Sequence, residues 1–289
     1  MGILISLFSN KAVLAVAAII FAPIVGAIIA GLDRKLSARM QSRLGPPLLQ
    51  PFYDTIKLFS KEPIALHRQQ IMYAVLHLVF MILTIVMLIL GQDLLMILLV
   101  HAFSTICLII GAMSVRSPYS WIGSQRKILQ MMAYEPVLLV LILAINLKNN
   151  SFMASEVMAG DQPLLITMPL LFLAFVCVVA IELEKSPFDV AGSHHAHQEI
   201  VKGITLEYSG PFLGILEISH FYEIAMFFGL IMCFWHTNVL VAFALETIVF
   251  VFLIVLDNAF SRLTSGWMVR YMWTVPLTLS LANLIWLWR

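Results

Sequence analysis

Long apolar runs separated by short polar stretches dominate this chain. Eight runs, at about 12–32, 72–90, 94–114, 128–147, 164–183, 211–233, 238–257 and 271–288, match the ~20 mostly apolar residues a helix needs to cross a bilayer. An outer-membrane barrel would instead read as short alternating segments. The pattern predicts an all-α, polytopic membrane protein with eight transmembrane helices, residues 1–289 forming a single integral membrane domain. The first run meets Asp33, Arg34 and Lys35 with no small-residue cleavage site close behind it, so it reads as a retained span. Only Gly91, Gln92 and Asp93 separate the second and third runs, which predicts a tight hairpin. Leu32, Leu36 and Met40 recur every fourth residue and extend the first helix as an amphipathic interfacial segment. Gly45, Pro46 and Pro47 break it, and a second short helix is expected over 52–59, ending before Pro63. No internal repeat is evident, which counts against a stand-alone secondary transporter.

Composition narrows the class. With 61% hydrophobic and 11% charged residues over 289 positions, the chain has too few charges to coat a water-facing surface of its size; soluble domains carry about 25% charged residues. Seventeen Lys and Arg against 16 Asp and Glu leave no basic surplus for nucleic acid. The distribution of the basic residues is informative. Segments 33–71, 115–127, 184–210 and 258–270 hold 14 of them, and the opposite side holds Lys11, Lys148 and Arg289. Positive charge marks the cytoplasmic side, so both termini are expected on the outer side and these loops inside. At 39 residues, segment 33–71 is too long to be a mere connector.

Ionisable groups inside apolar spans are costly and mark functional positions. Glu135 lies early in the fourth run and is followed by Pro136, which can kink the helix beside the acid. Glu217, His220 and Glu223 fall three residues apart in the sixth run and cover an arc of about 120° of its surface. Glu246 lies deep in the seventh run; Asp257 follows on the same face, about 16 Å away. Glu182 and Glu184 close the fifth run at its cytoplasmic edge. Basic residues sit nearly all in loops, and none is expected in the middle of a span. Buried acids without cations tend to be protonated near neutral pH, a pattern that suits a proton path. The competing reading is that these acids make structural hydrogen bonds between helices.

Cys107, Cys177 and Cys233 lie singly in separate apolar runs. They cannot supply the four thiolates of a typical iron–sulfur cluster, so no redox cofactor is expected in this chain. His194, His195 and His197 form a short tract. A metal reading is weak, because no second ligand cluster stands at a suitable spacing; lining a cavity and relaying protons suits imidazole better. His77, His101 and His236 are expected to pack between helices.

Two cytoplasmic stretches are more specific. The first runs Asp33-Arg34-Lys35, Arg39-Met40-Gln41-Ser42-Arg43-Leu44-Gly45-Pro46, then Leu49-Gln50-Pro51-Phe52-Tyr53-Asp54-Thr55-Ile56-Lys57. The second is Glu182-Leu183-Glu184-Lys185-Ser186-Pro187-Phe188-Asp189, followed by Glu199-Ile200-Val201-Lys202-Gly203 and Glu207-Tyr208-Ser209-Gly210. Together they resemble the first and third cytoplasmic loops of the H-subunit family of respiratory complex I, a family shared with energy-converting membrane-bound [NiFe] hydrogenases of the formate hydrogenlyase type. Where complex I relatives usually carry a Glu-rich stretch after Pro-Phe-Asp, this chain has His194, His195 and His197, which looks more like the hydrogenase branch.

The resemblance implies a membrane anchor and coupling subunit in a prokaryotic cytoplasmic (inner) membrane, with no catalytic residue of its own. Its [NiFe] centre and iron–sulfur clusters would sit on partners: hydrogenase large and small subunits, an iron–sulfur subunit and an antiporter-like membrane subunit. Hydrogen evolution, fed by ferredoxin- or formate-derived electrons, would be linked to proton or sodium translocation. The alternative is the quinone-module H-type subunit of a complex I-type NADH/quinone oxidoreductase. Loops 33–71 and 184–210 would form the docking face for the soluble redox arm, through Arg34, Lys35, Arg39, Arg43, Asp54, Lys57, Asp189, His194, His195 and His197. The expected proton path comprises Glu135, Glu182, Glu184, Glu199, Glu207, Glu217, His220, Glu223, Glu246 and Asp257.

Overall fold

The computed structural model describes residues 11–64, 67–160, 162–188 and 200–288. Among them all regular structure is helical, and a bridge between Asp93 and Met153 is the one β-type pairing. The helices are α1 (Lys11–Met40), α2 (Gln50–Phe59), α3 (Arg68–Ile89), α4 (Leu94–Met113), α5 (Pro118–Asn149), α6 (Ala154–Met158), α7 (Leu164–Thr167), α8 (Pro169–Glu182), α9 (Gly203–Leu206), α10 (Pro211–Cys233), α11 (Val239–Ala259), α12 (Ser265–Thr274) and α13 (Pro276–Trp288).

Six of these, α1, α3, α4, α5, α10 and α11, are long and apolar enough to cross a membrane. The expected fifth and eighth spans are broken. Residues 164–183 form α7 and α8, interrupted at Met168 and Pro169. Residues 271–288 fall across the end of α12 and α13, with Pro276 starting the second piece. A proline has no N–H to continue the ladder of the preceding turn, which explains both stops. Asn283 of α13 repairs the first break. Its Oδ1 accepts from the backbone N–H of Leu170 and Leu171 at 3.1 and 3.2 Å, and its Nδ2 donates to the Thr167 carbonyl at 3.2 Å. Inside lipid such orphaned backbone groups need a partner within the protein.

α1 runs unbroken through Met40, so the amphipathic segment is its continuation, and α2 takes the place of the second short helix. The α3–α4 hairpin turns at Gly91, whose φ of +68° suits glycine. Asp93 caps α4 by accepting the Leu95 N–H at 2.8 Å. α5 starts at Pro118, ten residues before the expected run, and continues through Pro136 as one helix of 32 residues. That early start brings into the helix two cations that the sequence placed in the preceding loop. Arg126 and Lys127 lie inside α5 and are 5% and 3% exposed. The short turn α9 packs across the first part of α5 and covers it.

A continuous apolar cluster joins α3, α4, α5, α8 and α10 through Met81, Ile97, Tyr134, Phe175 and Phe227. α1 and α11 flank it with largely exposed apolar faces, as at Phe21 and Phe243. α1 approaches α10 closely at Gly26: a Cβ there would stand 1.9 Å from the Phe221 carbonyl oxygen. At one end of the bundle Lys185 ties three segments together, reaching Asp33 of α1 at 2.5 Å and Asp257 of α11 at 3.2 Å. The Ser186 N–H also donates to Asp257, and Arg126 donates to the carbonyls of Phe188 and Leu263. The segment after α8 is therefore fixed by charge to α1, α5 and α11.

Candidate functional site

A cavity of about 500 Å³ opens between α1, α3, α4, α5, α10, α11 and the segments around Lys185 and Lys202. Its charged lining comprises Asp33, Arg34, Lys127, Glu184, Lys185, Lys202, Glu217, Glu223 and Asp257, with His77 and His220 among them. Three of the four loop segments rich in basic residues contribute to it, through Arg34, Lys127 and Lys202, so the cavity opens on that loop side and runs inward toward His77 and Thr105. A space of this size with so many polar groups can hold water.

At its inner end the charges become buried. The Lys127 ammonium lies 3.2 Å from Glu182 Oε2, and Glu182 is 0% exposed. Lys127, Gln130 and Tyr134 follow one another at helical spacing on one face of α5. Tyr134 lies close enough to Glu182 to interact with the carboxylate, though its hydroxyl makes no well-formed hydrogen bond among the described residues. On α10, His220 Nδ1 lies 3.0 Å from Glu223 Oε2. The other carboxylate oxygen, Glu223 Oε1, lies 4.0 Å from His101 Nε2 on α4. Glu182 completes the group: one ligand-type atom from each of His101, Glu182 and Glu223 lies within 4.8 Å of the others. His77 is held in place by the Ser104 hydroxyl at 2.7 Å. Beyond the triad lies an apolar cavity of about 60 Å³, lined by His101 together with residues such as Leu94, Leu138 and Phe227. The triad thus stands between a polar cavity and an apolar one.

Near the mouth, burial alone would pull the Lys185 ammonium below its ordinary pKa. Asp33 and Asp257 outweigh that and hold it above 10.5. Lys185 therefore stays charged at neutral pH and locks the end of the bundle.

Of the expected proton-path residues, Glu184, Glu217, His220, Glu223 and Asp257 line the large cavity, and Glu182 joins it through Lys127. Glu135, Glu207 and Glu246 are half-buried and lie outside its lining. Glu199 and the docking residues Asp189, His194, His195 and His197 lie outside the described residues. Arg34 pairs with Asp54 at 2.7 Å across α1 and α2, which holds the two helices together. Arg39, Arg43 and Lys57 are exposed and Lys35 is half-buried. Sequence reasoning missed Lys127 and undervalued His77 and His101. The spacing of Lys127, Gln130 and Tyr134 was the available signal; nothing in the sequence places His101 beside Glu182 and Glu223.

Together, the fold and the charged cavity define a polytopic membrane subunit with an internal polar site and none of the thiolate clusters of a redox carrier. Comparison with known proteins places it further. A family model described as NADH dehydrogenase matches residues 12–288, and the chain belongs to that family. It is 29% identical over 288 residues to the H-type subunit of NADH-quinone oxidoreductase from Dehalococcoides mccartyi strain CBDB1, covering 88% of this chain and 79% of that one. The H-type subunit from Geobacillus kaustophilus strain HTA426 is 28% identical over 289 residues, with 88% and 85% covered. Among solved structures, a chain of the membrane-bound sulfane sulfur reductase, an archaeal respiratory membrane complex, superposes with a TM-score of 0.85 at 25% identity, covering 96% of this chain and 99% of that one. None of these three relatives is named as a hydrogenase. They favour the alternative reading, a complex I-type membrane subunit, over the hydrogenase branch.

Proposed function

We propose that this chain is the H-type membrane subunit of a complex I-like respiratory oxidoreductase, coupling electron transfer in a soluble redox arm to proton translocation. The observation that carries the reading is the loop-side cavity that leads from Lys185 and Glu184 past Glu217 and His220 to the buried group of Lys127, Glu182, Glu223 and His101. Buried acids, histidines and a lysine in contact with a wet cavity can exchange protons when a nearby charge changes. A redox change in the arm above the loops would perturb the mouth of this cavity, and the pairs Lys127–Glu182 and His220–Glu223 would pass the change inward.

In this reading α7 with α8, and α12 with α13, serve as the fifth and eighth spans, and both termini face outward, as the positive-inside count supports. The membrane is the prokaryotic cytoplasmic one, in keeping with the bacterial relatives. The chain carries no redox centre; iron–sulfur clusters belong to partner subunits docked on loops 33–71 and 184–210, and an antiporter-like subunit lies alongside in the membrane. The hydrogenase partners and [NiFe] centre expected from the His tract find no support among the relatives.

Purification in mild detergent followed by cross-linking tests the assembly. Cross-links from the exposed Arg39 and Lys57 should reach a soluble, cluster-bearing subunit. Cross-links that arise only from the opposite face, near Lys148, would contradict the orientation.

A further inference from the structure

We propose that His101, Glu182 and Glu223 form a binding site for one divalent transition-metal ion of the Zn²⁺ type, buried between α4, α8 and α10. The three residues offer one ligand atom each, all within 4.8 Å of one another. Two of these atoms have unmet valence. His101 Nε2 and Glu182 Oε1 are buried and have no hydrogen-bond partner among the described residues. Their residues are 2% and 0% exposed, and an unsatisfied buried polar atom of this kind is destabilising until it finds a partner.

The surroundings are arranged as they are around metal ligands. Each carboxylate spends one oxygen on a neighbour and leaves the other for the triad. Glu182 Oε2 is held by Lys127 at 3.2 Å, and Glu223 Oε2 by His220 at 3.0 Å. Such outer contacts orient ligands and are typical of built sites. The His101 ring is fixed edge-on to Phe227, their centroids 5.5 Å apart. Two carboxylates against the Lys127 ammonium leave one negative charge to attract a cation. One nitrogen and two oxygens with an open fourth position suit Zn²⁺, which accepts four ligands at about 2.0–2.2 Å. Hard cations such as Mg²⁺, Ca²⁺ and Na⁺ prefer oxygen alone. The ion would enter through the large cavity, which Lys127 and Glu223 line, and water there would complete its coordination. Once bound, it would clamp α4, α8 and α10 together and stop proton exchange at these three groups, so the ion would act as an inhibitor of the relay proposed above and not as a resident part of it.

The sequence pointed to no such site, because its three ligands are distant along the chain and belong to three helices. The only sequence-local candidate was the tract of His194, His195 and His197, which is a competing zinc binder in any measurement.

The test uses the full chain within its purified complex, with His194→Ser, His195→Ser and His197→Ser introduced to remove that competitor. The complex is stripped with chelator and dialysed against Zn²⁺ at micromolar free concentration. One zinc should be lost in His101→Gln and in Glu223→Gln, relative to the parent, at unchanged elution volume. Zinc K-edge absorption of the added metal in the parent should show a single imidazole and carboxylate oxygens. Equal zinc in the parent and both variants would overturn the site. So would an added-metal shell with no imidazole or with more than one, and that spectrum decides the matter even where a variant fails to assemble.

Discussion

Lys127 is the residue on which the polar interior depends. It lies 3% exposed against a fully buried Glu182, and removing one member of a buried ion pair strands the other charge. Lys127→Met should lower the stability of the solubilised complex by about 3–5 kcal/mol, read as a fall in its thermal midpoint. Lys127→Met combined with Glu182→Leu should recover most of that loss, since neither charge then remains. Equal midpoints for the single and double variants would mean that the pair is not the source of the cost. Lys185 makes a different prediction because its folded pKa is raised. Its contribution is complete below 10.5 and fades only as pH rises through the higher folded value. The stability gap between the parent and Lys185→Met should hold constant through neutral pH and shrink in strongly alkaline buffer. Much of this chemistry was legible as residue types: Glu182, Glu184, Glu217, His220, Glu223 and Asp257 stand out as acids and histidines in apolar runs. Lys127 was not, because a hydropathy count ends the helix where charge begins, and α5 carries its charged first turns into the protein.

Helix breaks show the complementary gap. The fifth and eighth apolar runs read as single spans because hydropathy sees only apolar content. Pro169 and Pro276 were the visible signals, and both mark the start of a new helix. What repairs the first break, Asn283, was invisible, since its partners Leu170, Leu171 and Thr167 lie more than a hundred residues away. Asn283→Leu keeps the volume and leaves two N–H groups and a carbonyl without their partner, at about 1–3 kcal/mol each. The variant should assemble poorly or inactivate at lower temperature. Normal assembly and an unchanged midpoint would show that the break is satisfied in another way. The hairpin at Gly91, the short helix after Pro47 and four of the long spans were by contrast readable within a few residues, because each is fixed by local turn chemistry or by length alone.

At the scale of the whole molecule, the apolar cluster of α3, α4, α5, α8 and α10 surrounds the inner end of one charged cavity, and α1 and α11 flank it. At the mouth Lys185 ties the described start of segment 184–210 to Asp33 of α1 and Asp257 of α11. A redox arm docked there would sit directly over groups that can change charge. The decisive measurement is electron transfer recorded beside proton uptake in inverted membrane vesicles, for the parent and for Glu217→Gln and Glu223→Gln complexes assembled at normal levels. Glutamine keeps the shape and most hydrogen bonding but removes the titratable charge. Loss of a proton-transfer group should cut proton uptake by about tenfold or more, with electron transfer falling alongside where coupling is tight. Full proton uptake in both variants would contradict the coupling account and leave this subunit as a membrane anchor.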